Sequence, residues 1–282
     1  MKPTVFLLVV GMCLITIIAS SSSLDPALAT SPVNKARFTV ICKFSHRAKD
    51  DPIVFPGLKG ASHSHDFFAN RSTSANSTYS GLRTARTTCN RDEDTAAYWL
   101  PTLYQDGRAL TPESTKIYYS SLVDRAKVKA FPRNLRMITG DSKATSPQST
   151  DIMSWACQGT DIDHRREPPD SRPGGKHLVL SMRFPNCWDG EHLDSADHKS
   201  HMAHSNRQPC PSTHPVRLPR IVMDTKYPTS KGTRLTFSSG SRYTGHADFI
   251  NAWHQRELQR LVRRCIVDRT RTSDRLCNPP PN

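Results

Sequence analysis

The sequence contains no Cys-x-x-Cys, no His-Glu-x-x-His, no Gly-x-Ser-x-Gly and no glycine-rich phosphate loop, although it runs to 282 residues. Each absence removes a class: clustered zinc ribbons, helical zinc proteases, elbow-type serine hydrolases and nucleotide enzymes. Glycine is scarce at 13 residues, aromatics make up 7%, and acidic residues number 25 against 39 Lys+Arg. The resulting formal charge of +14 suits attraction to polyanions. Beyond the first 29 residues no long hydrophobic run occurs, which excludes a multi-span membrane protein.

The one apolar run, Val5 to Ile18, follows Lys2 and precedes Ala27-Leu28-Ala29, a small-residue cleavage site, so residues 1–29 read as a secretory signal. The run is shorter than a membrane span, and no stable membrane insertion is expected once it is cleaved. Residues 30–36 then form a linker, 37–267 a single secreted domain and 268–282 a polar, proline-rich tail. Export changes how cysteine is read. Cys42, Cys89, Cys157, Cys187, Cys210, Cys265 and Cys277 are widely spaced, which predicts disulfides, and Cys277, isolated in CNPPPN, is the expected odd residue. The pairing is not readable from the sequence.

Residues 37–44 and 177–184 alternate apolar and polar and predict half-buried strands, with weaker signals at 115–123, 216–223 and 233–237. Pro219 demotes the fourth of these to an edge. The polar stretch 141–175 predicts a loop around Trp155 and Cys157. Phe249, Trp253, Leu261, Val262 and Cys265 recur at helical spacing and predict a helix from Asp248 to Ile266, with Asp248 in its first turn. The fold expected is α+β and β-rich, with sandwich-like antiparallel sheets, long disulfide-pinned loops and a C-terminal helix.

Three polar clusters carry whatever chemistry there is. SHSHDFFAN (62–70) holds His63, His65, Asp66 and Asn70; FPNCWDGEHLDSADHKSHMAH (184–204) holds Trp188, Asp189, Asp194, His198 and His201; GHADFINAW (245–253) holds His246 and Asp248. The first and third echo one another, HDFFAN against ADFIN. Each cluster combines imidazole, carboxylate and aromatic groups, as a polar site in a partly apolar cleft requires.

These motifs, taken in order with DPIVFPG (51–57), TTC (87–89), AAYWLPTLY (96–104), FPRNLRMITGD (131–141) and CPSTHPVRLP (210–219), resemble the domain-of-unknown-function family numbered nineteen ninety-six. That family comprises secreted actinomycete and fungal proteins. The resemblance spans about residues 38–267 and implies one secreted domain, without assigning any catalytic role. The chain departs from the family pattern at Ala69, where glycine is usual, and at His204, where an aromatic is usual.

Two chemistries fit the clusters. Asp66 with Asp189, or Asp194 and Asp248 in their stead, could act as acid and base on a glycosidic bond, with His63, His65, His246, Trp188 and Asn70 binding the sugar. A carbohydrate-active hydrolase is therefore the first expectation. The alternative is a non-catalytic protein: a divalent-metal binder through His63, His65, His198 and His201, or a binder of anionic cell-wall polymer through its arginines. The expected partners are polysaccharide or wall polymer in an extracellular setting, with no specific nucleic acid.

Overall fold

The computed structural model describes Met1 and residues 36–121, 123–157, 164–169, 177–205, 208–229, 231–268 and 275–280. Residues 2–29, expected to be a signal segment, residues 30–35 of the expected linker, and parts of the 141–175 stretch and of the tail lie outside the described residues. Of an N-terminal unit, Met1–Val33, only Met1 is described; the second unit, Asn34–Asn282, holds every element below.

In chain order the strands are β1 Arg37–Ala48, β2 His65–Ala69, β3 Ala97–Pro101, β4 Leu103–Gln105, β5 Arg108–Ala109, β6 Ser114–Ser120, β7 Arg136–Gly140, β8 Met153–Cys157, β9 Leu178–Arg183, β10 Cys187–Trp188, β11 Met202–Ala203, β12 Val216–Arg217, β13 Arg220–Tyr227, β14 Leu235–Phe237, β15 Gly240–Ser241 and β16 His246–Ile250. The helices are α1 Tyr79–Thr84 and α2 Gln255–Leu261, the latter continuing as a π-turn segment, Val262–Val267. Nine strands form one antiparallel sheet in the order β7-β16-β3-β2-β1-β6-β13-β9-β8, with small sheets β11-β10-β12 and β15-β14-β4-β5 beside it.

Strand β1 makes the corner. Residues 37–43 pair with β6, then a bulge between Phe44 and His46 shifts the register and residues 44–48 pair with β2. A bulge bends a strand and raises its twist, so the sheet curls on itself. The curl brings β7 to β9, where Thr139 Oγ1 donates to the Arg183 carbonyl at 2.6 Å. Between the inward faces Phe38, Val40, Leu100, Ile117, Leu180, Met182, Met223 and Phe249 are fully buried.

A second apolar layer lies on the outward face of β2, β3 and β16. Ile53, Phe67, Leu82, Ala97, Trp99, Ile250 and Ala252 pack there, so these three strands are buried on both sides. Strands covered on both faces are the most rigid support a chain can offer a polar site.

Three disulfides join Cys42 to Cys89, Cys187 to Cys210 and Cys265 to Cys277. Cys277 is thus paired with Cys265 and is not the odd residue. The Cys277 carbonyl also accepts from Thr39 N–H at 2.9 Å, tying residues 275–280 to β1. No helix among the described residues is long and apolar enough to cross a membrane.

Other expectations shift. Asp248 lies within β16, not in a helical first turn, because the helix begins at Gln255 with Glu257 near its start. Pro219 falls between β12 and β13 and costs no ladder bond, so β13 is central, between β6 and β9, rather than an edge. Within 141–175, residues Met153–Cys157 form edge strand β8, with Trp155 fully buried and stacked on Phe237.

Candidate functional site

Strand alternation decides which polar groups meet. On β2, His65 and Phe67 point outward while Asp66 and Phe68 point into the main core; on β16, His246 and Asp248 point outward while Ala247 and Phe249 point inward. Phe67 and Asp248 both sit opposite Trp99 of the intervening β3, and His65 sits opposite Pro101 with its ring centroid 5.7 Å from that of His246. His63, two residues before His65, completes a cluster: its ring centroid is 4.3 Å from that of His65 and 5.0 Å from that of His246. One ligand nitrogen from each of the three imidazoles lies within 4.8 Å of the others.

Backbone carbonyls fix two of the rings. His65 Nδ1 donates to the Asp50 carbonyl at 3.0 Å, and His246 Nδ1 donates to the Thr244 carbonyl at 3.0 Å. A carbonyl can only accept, so in neutral imidazole the lone pair must sit on Nε2 of both rings. His246 Nε2 faces His63 Nε2 at 3.2 Å, whereas His65 Nε2 is buried with no protein hydrogen-bond partner among the described residues. The close approach of β7 to β16 depends on Gly140, at φ +83°, because a Cβ there would stand 2.8 Å from His246 Cα.

Burial keeps the imidazoles neutral. It lowers the pKa of His63, drives that of His65 far down with the neighbouring histidines adding to the effect, and takes His246 to about 4. One row further in, Asp248 is 1% exposed and its Oδ2 lacks a protein partner among the described residues. Burial first, then the charge of Asp51, hold its carboxyl well above the usual range. Asp51 is itself raised by burial, against the pull of the Ile53 and Val54 N–H groups it accepts at 2.9 Å. From outside, Lys199 Nζ donates to the Gly140 carbonyl at 2.7 Å, next to His246.

The other candidates are placed differently. Asp66 faces the opposite side of β2, where Arg47 grips it at 2.6 and 3.2 Å and Thr102 donates at 3.1 Å. Asn70 is buried and braces backbone by donating to the Leu82 and Thr95 carbonyls. Asp189 accepts from Glu191 N–H, His192 N–H and His192 Nδ1, which closes a turn. Its pKa is lowered by these bonds, which outweigh desolvation. Asp194 holds His198 Nδ1 at 2.9 Å, and Trp188 Nε1 donates to the His192 carbonyl at 2.6 Å. His201 has both nitrogens engaged, by Ser195 Oγ and the Arg136 carbonyl, and neither it nor His198 belongs to the three-imidazole cluster. Asp189, Asp194 and His201 do line one open cleft of about 510 Å³, with His192 and Ser200. Asp51 was missed by sequence reasoning; its only signal was its place at the head of DPIVFPG, a motif of the family resemblance.

No curated protein and no solved structure matches the chain. Residues 51–253, which include His63, His65, His246, Asp51 and Asp248, match the family described as Domain of unknown function (DUF1996), and the chain belongs to that family.

Proposed function

We propose that this protein is a secreted hydrolase of an extracellular polysaccharide whose reaction centre is the outward face of β2, β3 and β16. One observation carries the reading: His65 Nε2 and Asp248 Oδ2, both buried, have no protein partner among the described residues and lie on the same rigid face. A buried orphan atom costs on the order of 1–3 kcal/mol, and folded chains keep such costs where a substrate or ligand completes the site. Substrate approaches over His63, the half-buried member of the cluster, and Asp248 with Asp51 supports it from behind. These two carboxyls take the place that Asp66 and Asp189 held in the sequence reading. The three disulfides support an oxidising, extracellular setting, and the +14 charge would draw the protein to anionic wall polymers.

The test is release of reducing ends from a panel of wall polysaccharides by wild type, Asp248→Asn and Asp189→Asn. The reading predicts at least a hundredfold loss for Asp248→Asn with its unfolding midpoint kept, and near-wild-type rates for Asp189→Asn. Full activity in Asp248→Asn, or loss confined to Asp189→Asn, would move the centre to the open cleft.

A further inference from the structure

We infer that His63, His65 and His246 together hold one divalent transition-metal ion of the zinc class. This goes beyond the hydrolase reading and does not depend on it, since an ion could be held without turnover.

Four features converge. The tautomers are set in advance: the Asp50 and Thr244 carbonyls accept hydrogen bonds from Nδ1–H of His65 and His246, which leaves both Nε2 lone pairs facing the cluster. Metal-binding histidines are oriented by this kind of hydrogen bond on the far nitrogen. The spacing fits as well. Two nitrogens about 2.0–2.1 Å from a tetrahedral ion stand roughly 3.3 Å apart, and His63 Nε2 and His246 Nε2 are 3.2 Å apart. Third, His65 Nε2 is buried without a protein partner among the described residues, a state that a metal bond would satisfy. Finally, His65 is opposed across β3 by β16, so the two rings start from strands buried on both faces and need little ordering to converge.

The donor set also selects the ion. Three neutral imidazoles suit zinc and its neighbours, whereas calcium and magnesium require oxygen ligands. Three protein ligands leave a fourth position, the arrangement of zinc sites that react rather than those that only brace a fold. That position opens on the His63 side, where the cluster is least buried. The competing set, Cys42, Cys89 and Asp94, is not a ligand group because its two sulfurs are joined in a disulfide. His201 is excluded by its two protein partners.

The experiment is calorimetric titration of Zn²⁺ into chelator-stripped, disulfide-bonded protein, with visible absorption of Co²⁺ as a second readout of coordination. One ion per chain is expected, with at least a hundredfold weaker binding in His63→Ala and in His246→Ala and unchanged binding in His192→Ala, whose ring lies on the exposed 189–192 turn. His63 is half-buried, so its variant keeps the inference testable if His246→Ala does not fold. Absence of saturable Zn²⁺ and Co²⁺ binding by folded wild type, or equal binding by His63→Ala, overturns the inference. Metal binding without polysaccharide hydrolysis would leave it standing while removing the hydrolase reading.

Discussion

The two regions richest in histidine and aspartate use them in opposite ways. In the 189–204 loop nearly every such group has a protein partner: Asp189 closes a turn, Asp197 accepts from Lys199 N–H and Ser200 N–H, Asp194 holds His198, and His201 is bonded at both nitrogens. On the outward face of β2, β3 and β16, far fewer polar groups are present, and three buried atoms there, His65 Nε2, Asp248 Oδ2 and Trp99 Nε1, have no protein partner among the described residues. A high density of polar residues therefore marks a loop that needs side chains to replace missing backbone bonds. Unused bonding capacity on a rigid support is the better sign of a site.

Substitutions separate the two regions. The largest effect is expected from Asp66→Ala, which takes the charge partner from half-buried Arg47, leaving it the Leu110 carbonyl, and should cost roughly 3–5 kcal/mol in denaturant unfolding. Asp66 and His65 are neighbours in sequence, so this separates the bracing side of β2 from its functional side. Next comes the loop. Removing the Cys187–Cys210 bridge by a double serine substitution should lower stability by about 2–4 kcal/mol while metal binding at the histidines persists. Loss of that binding would mean that the loop shapes the face after all. Smallest, Ala69→Gly should raise stability by about 1 kcal/mol, because Ala69 sits at φ +62°, a left-handed conformation that disfavours a Cβ. A chemical-denaturation midpoint would register the gain.

Much of this was legible in the sequence, and the gaps have physical causes. Strands β1 and β9 announce themselves by alternation and β6 more weakly, since the apolar residues of each lie on one face. HDFFA and HADFI do not alternate because the second apolar layer buries both of their faces. The echo between these segments is real in placement, both flanking β3, yet misleading in orientation: Asp66 points inward and Asp248 outward, since the two motifs are out of step by one residue. Composition singled out His63, His65, His246 and Asp248, but it could not show that His63 and His246 meet across 183 positions. Nor could it exclude His201, whose occupation by Ser195 and Arg136 is a tertiary fact. Cys277 looked isolated because its partner lies only 12 residues back, at the end of the final helix.

The most direct test of the central claim is the metal-free unfolding midpoint of Asp248→Asn at neutral pH. A carboxyl kept for function adds nothing to folding when it is buried near the charge of Asp51 with its Oδ2 unpartnered among the described residues, so the expected midpoint is equal to or above that of wild type. A drop of more than about 1 kcal/mol would show instead that Asp248 braces the fold, and would contradict the assignment of this face as the site.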